Sequence, residues 1–179
     1  MLTVTSGELD SAKPADRRDA WLRMDDAELL RECREERYRA SGPGGQRRNK
    51  VETAVRLRHG PSGLVVQGEE SRYMEENRSR AVRRLRERMA LEIRRPFDLT
   101  SPRPAPELAA QRSPDGGLGV NRNNVVYPVI LAVVLDALDA AEGSYARAAS
   151  ALGLTTSQLL KFLRSDPQIT RTRANLSRK

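Results

Sequence analysis

Cysteine and histidine are nearly missing from this chain: there is one of each, Cys33 and His59, among 179 residues. A single cysteine excludes an internal disulfide framework and is compatible with a reducing compartment; Cys33 reads as a strand or core residue, not a nucleophile. No zinc cluster can be assembled from one of each, and no metal or cofactor is expected. Any Ser-His-Asp or Cys-His arrangement has to use His59, which reads as a structural or surface histidine at a strand end. Carboxylates are numerous, but none stands out as an acid/base pair. Aromatic residues make up only 4% of the chain, too few for a base-stacking platform of the single-strand-binding kind. Long apolar runs are missing as well. The best, Val125 to Ala141, is interrupted by Pro128, Asp136 and Asp139 and is shorter than the roughly 20 residues a membrane-spanning helix needs. Met1 to Ala20 is polar and lacks the apolar core of a secretory signal, so a soluble, cytoplasmic protein is expected, with no membrane partner.

What the chain has in excess is positive charge: 32 Lys and Arg against 24 acids, net +8. That balance suits nucleic acid or another anionic surface, and with so few aromatics the contacts would run through phosphates. The densest local feature is Ser41-Gly42-Pro43-Gly44-Gly45-Gln46, preceded by Arg39 and followed by Arg47, Arg48, Asn49 and Lys50. Three glycines and a proline in five positions forbid helix or ladder strand and let backbone approach a partner closely. The surrounding cations make that partner a polyanion.

The frame SGPGGQ-x-x-NK, with the Ala54-Val55-Arg56-Leu57 strand after it and Pro61-Ser62-Gly63-Leu64-Val65-Val66 further on, resembles the Gly-Gly-Gln domain of class I peptide chain release factors and of the small ribosome-rescue hydrolases related to them. The resemblance runs from about Glu32 to Pro96, roughly a third of the chain. It implies hydrolysis of the ester joining a nascent peptide to its transfer RNA, with Gly44, Gly45 and Gln46 as the catalytic residues and no cofactor. The Gln46 main-chain N–H would stabilise transition-state charge, and the glycines would admit the backbone to a crowded RNA site. Arg39, Ser41, Gly42, Pro43, Arg47, Arg48, Asn49 and Lys50 would contact RNA of the large ribosomal subunit at its peptidyl transferase centre. Arg47 and Arg48 depart from the family, which commonly has a small polar residue and a valine there.

An α+β fold is expected, in five segments. Residues 1–20 read as a flexible tail and 21–96 as the GGQ domain, a hairpin-containing sheet with a long helix. Residues 97–120, with four prolines, read as a linker, 121–165 as an all-α module, and 166–179 as a basic tail. Asp25-Asp26 cap a short helix; Val55, Leu57 and His59 alternate with Arg56 and Arg58 as a half-buried strand; Gly60 to Gly63 turn the chain back. From Ser71 to about Arg94, helical spacing puts Tyr73, Ala81, Leu85, Met89 and Ile93 near one face. Eight arginines between Arg78 and Arg95 oppose Glu87 and Glu92, an excess of +6 that beside the loop points to RNA phosphates. Pro128 opens a helix that Gly143 stops; Ser144 caps the next, to Leu152; Thr155 to Gln158 form a capping box for the last. Ala148-Ala149-x-x-Leu152-Gly153-Leu154 resembles small trihelical DNA-binding domains of bacterial nucleoid and enhancer proteins, though a plain packing or docking module fits the same spacing.

Only about 40 residues precede the loop, leaving no room for a stop-codon-reading domain, so the expectation is a monomeric, codon-independent rescue enzyme acting on ribosome-bound peptidyl-tRNA. Arg171, Arg173, Arg178 and Lys179 would enter the vacant messenger channel. The alternative is a non-catalytic nucleic-acid-binding protein with the GGQ domain as anchor and the helix-turn-helix as a second contact.

Overall fold

The computed structural model describes residues 13–39, 51–103, 105–113, 117–165 and 169. The fold is α+β, in two compact units that divide between Met89 and Ala90.

The first unit is built on three antiparallel strands in the order β1-β2-β3, with β1 Cys33–Tyr38, β2 Ala54–His59 and β3 Val65–Gly68. Cys33 pairs with His59 and Tyr38 with Ala54 across the first ladder; Val55 pairs with Gly68 and Arg58 with Val65 across the second. The alternation in β2 behaves as its sequence requires: Val55, Leu57 and His59 are fully buried, whereas Arg58 is exposed. Ala54 is buried as well, at the end where the chain enters the sheet. The β2–β3 turn closes through His59 N to Leu64 O and Gly63 N to His59 O, with Gly63 at φ +70°.

Helix α1, Pro14–Arg23, begins inside the stretch expected to be a tail. Pro14 sits at its first turn and Asp16 follows, both favoured there. Two large apolar residues, adjacent on a charged helix, leave no period to read, but Trp21 is completely buried and Leu22 nearly so. Helix α2, Asp26–Arg31, has the expected Asp25 N-cap, completed by Glu28 into a capping box. Helix α3 covers Met74–Glu92, with Ala81, Val82, Leu85 and Met89 buried. Tyr73, expected on that face, precedes the helix and is 52% exposed, because Ser71 Oγ accepts its backbone N–H in the preceding turn and Arg72 stacks over its ring.

In the second unit α5, Tyr127–Ala140, is buried at every position from Tyr127 to Leu138, as a stretch that is apolar except for Asp136 demands. Its buried Asp136 accepts hydrogen bonds from the Arg94 guanidinium (3.3 Å) and the Arg95 backbone N–H (3.0 Å). Helix α4, Pro106–Ala110, lies within the stretch read as a linker. One fully buried residue, Leu108, anchors it, and the isolated bridge Arg112↔Leu118 follows. A five-residue helix with a single anchor has no period for sequence inspection to detect. Helices α6, Tyr145–Ala151, and α7, Thr156–Arg164, take the expected caps, Ser144 for the first and a Thr155–Gln158 capping box for the second.

Candidate functional site

Residues 39–53 connect β1 to β2, and this connection joins the sheet at the end marked by the Tyr38↔Ala54 pair. Of the residues expected to act there, Arg39 is described: it is exposed, with Nε 3.6 Å from Glu52 Oε1. Ser41, Gly42, Pro43, Gly44, Gly45, Gln46, Arg47, Arg48, Asn49 and Lys50 lie outside the described residues, as do Arg171, Arg173, Arg178 and Lys179. The described residues form the foot to which the loop is joined.

Asn77 secures that foot. It is fully buried in the first turns of α3, and its Nδ2 donates to the carbonyls of Thr53 and Ser71, each at 2.8 Å, while its Oδ1 accepts from Ser71 N at 2.9 Å. One amide thus ties the residue that leaves the loop to the segment that enters α3. Losing it would leave two part-buried carbonyls unpaired, at up to about 1 kcal/mol each. Gly68 makes the arrangement possible: a Cβ there would stand 2.1 Å from the Asn77 carbonyl oxygen, so β3 and α3 approach as only glycine allows. Neither residue was singled out from the sequence; a glycine closing a strand and a lone asparagine among helical charges were the signals present.

On the other side of the foot, the Tyr38 hydroxyl donates to Glu69 Oε2 at 2.8 Å and the Arg56 guanidinium lies 5.0 Å over the Tyr38 ring. Burial, then the bond to Glu69, push the phenol up to about 12, so it remains a donor at neutral pH. Arg78 grips Glu35 on β1 with two bonds, 2.8 and 2.9 Å, and this holds the Glu35 carboxyl below the usual carboxylate range despite partial desolvation.

The α3 arginines are therefore not an open cationic face. Arg78 meets Glu35 and Glu75; Arg80 lies near Glu70 and Glu76; Arg84 bonds Gln67 O and Glu70; Arg86 bonds Asp26 and Met24 O; Arg88 bonds Val65 O. The expected +6 excess is met largely by acids on other elements and by strand carbonyls, which counting charges within one helix cannot reveal.

His59 is a buried structural residue. Its ring meets Trp21 edge-on at 4.7 Å, and Nδ1 lies 2.7 Å from Ser62 Oγ and accepts the Ser62 N–H at 3.3 Å, which leaves the proton on Nε2. Nε2 is 3.4 Å from Glu32 Oε2 without a well-aligned bond, since Glu32 is already held by Trp21 Nε1 and by Arg17. A serine, a histidine and a glutamate thus adjoin, but the imidazole is fully buried and pins α1 to β2. Cys33, half-buried with Sγ toward Leu29 O, is pushed up to about 11 by burial and by Glu32, so it is no thiolate nucleophile.

Fold and foot together define a small α+β domain whose three-stranded sheet carries the β1–β2 connection and braces the described residues on either side of it. Residues 27–105 match the RF-1 domain family. Similar proteins include peptide chain release factor 1 of Chloroherpeton thalassium, 54% identical over 52 residues, which are 29% of this chain and 14% of that protein. Peptide chain release factor 1 of Granulibacter bethesdensis is 40% identical over 87 residues, 49% of this chain and 22% of the relative. That of Acidiphilium cryptum is 36% identical over 117 residues, 65% and 29%. The chain thus spans less than a third of the length of these relatives.

Proposed function

We propose that this protein hydrolyses the ester bond of ribosome-bound peptidyl-tRNA, and that it does so without reading a stop codon. The observation that carries the reading is the placement of Gly44-Gly45-Gln46 in the β1–β2 connection of the region that matches the RF-1 domain family, on a foot clamped by Asn77 and Tyr38. Water attacks the ester carbonyl carbon, the bond to the ribose 3′-oxygen breaks, and that oxygen takes a proton. The Gln46 backbone N–H is the donor aimed at the developing charge, and Gly44 and Gly45 let the main chain reach it. A braced foot serves this chemistry because an N–H stabilises a transition state only when held in place beforehand. Ribosomal RNA supplies the remainder of the site, contacted by Arg39, Ser41, Gly42, Pro43, Arg47, Arg48, Asn49 and Lys50.

The test is release of labelled peptide from purified ribosomes holding peptidyl-tRNA with a stop codon, a sense codon or an empty decoding site. Release from the empty site, lost in Gly45→Ala while ribosome binding is retained, is the expected result. Release only with a stop codon overturns codon independence, and full release by Gly45→Ala overturns the assignment of the loop.

A further inference from the structure

A group of cations without a side-chain partner among the described residues, Arg147, Lys161 and Arg164, lies in the second unit. Helix α6, the turn after it and α7 form a helix-turn-helix whose inner side is apolar: Ala148, Ala149, Leu152, Leu154, Leu159, Phe162 and Leu163 are buried, and Phe162 meets Tyr127 of α5 at 5.8 Å. The turn is rigidly made. Leu154 N bonds Ala149 O, Gly153 takes φ +66°, and Arg112 reaches over to bond the carbonyls of Leu152 and Gly153 at 2.7 and 2.8 Å. The Thr155 and Gln158 side chains then cap α7 reciprocally.

The outer side of α7 is a different surface. Ser157, Lys161 and Arg164, at i, i+4 and i+7, form one stripe, with Leu160 half-exposed beside them, along an open depression of about 480 Å³ that Ser165 completes. Arg147 is exposed on α6. From Ser144 to Ser165 there is no Asp or Glu, and Arg147, Lys161 and Arg164 have no side-chain partner among the described residues. This contrasts with α3, where acids from other elements meet the arginines. The stripe is narrow and carries no large exposed apolar side chain, which disfavours a lipid surface or an amphipathic peptide. It also offers no spare amide to read base edges, because Gln158 is engaged in the cap.

We propose that the outer stripe of α7, with Arg147 of α6, is a phosphate-contacting surface for duplex RNA, which it holds through backbone and shape without reading sequence. Duplex RNA is chosen over duplex DNA because the proposal rests on the ribosomal reading above. It gives the second unit a task, anchoring the protein on an RNA helix.

The experiment is fluorescence anisotropy of the full chain with a labelled RNA duplex spanning two successive grooves, and with the DNA duplex of the same sequence, between about 50 and 200 mM salt. The triple variant Arg147→Ala, Lys161→Ala, Arg164→Ala is expected to bind the RNA duplex about tenfold or more weakly, with the log–log salt slope reduced by about three. Lys161→Arg is expected to bind as the parent does. All three positions are exposed, and an unchanged circular dichroism melt of the triple variant excludes unfolding as the cause. Unchanged affinity and slope in the triple variant overturn the proposal, as does a loss confined to the DNA duplex. The assay contains no ribosome, so absence of peptide release with this duplex binding intact counts against the ribosomal reading alone.

Discussion

His59 shows how one buried titratable residue couples α1 to the sheet. Desolvation lowers its pKa below the ordinary histidine value, with Glu32 pulling the other way and losing. In the unfolded chain it takes a proton near about 6.5, whereas the folded protein resists protonation until lower pH. Between those values the unfolded state binds more protons, so stability rises with pH through the window. His59's contribution is complete above about pH 6.5 and fades as pH falls toward the lowered folded value. We expect the urea midpoint to drop between about pH 7.5 and 5.5 and this slope to flatten in His59→Gln. A slope unaltered by the substitution assigns the titration elsewhere. Glu35, also held low, acts in a more acidic window, below the usual carboxylate range, and does not confuse the reading. A structural role for His59 was legible from its strand-end position and its isolation, but its partner Trp21 lay in a segment expected to be tail.

Among elements, the contact of β3 with α3 decides how firmly the loop is held. Gly68→Ala puts a methyl group into the Asn77 backbone carbonyl, and neither strand nor helix can yield without breaking the Asn77 bonds to Thr53 and Ser71. We expect a loss of about 1–3 kcal/mol or more in chemical denaturation, with peptide release reduced by more than the unfolded fraction explains. Gly63→Ala is the control, since nothing lies within 4 Å and only its φ of +70° is strained. A Gly68→Ala protein that releases peptide as fast as the parent would show that the foot does not govern the loop. The helix and strand positions here followed from capping residues and alternation, but the close approach did not, because distance between elements is not written in either one's pattern.

For the molecule as a whole, the chain divides near Met89 and Ala90 into two units; in the first, Arg78, Arg84 and Arg86 of α3 meet acids, whereas in the second Arg147, Lys161 and Arg164 have no side-chain partner among the described residues. The basic segment after α7 belongs to this scale too. Removing residues 170–179, which keeps the buried Ile169, is expected to abolish release from ribosomes with an empty decoding site while leaving duplex RNA binding through α7 in place. Release at the parent rate would dismiss a role for Arg171, Arg173, Arg178 and Lys179 in the messenger channel.

By itself the sequence determined the local features: the Asp25, Ser144 and Thr155 caps, the alternation of β2, the apolar α5 and the loop frame that resembled the release-factor domain. Each is set by residues within a few positions of one another, where backbone sterics and side-chain hydrogen bonds act directly. Tertiary structure alone decided the rest. It made α1 and α4 part of their cores through Trp21 and Leu108, chose Asn77 to clamp the loop's foot, and paired the α3 arginines with acids as distant in sequence as Glu35 and Asp26. Those outcomes depend on which surfaces folding brings together, and desolvation and pairing act on that proximity, which no single segment specifies.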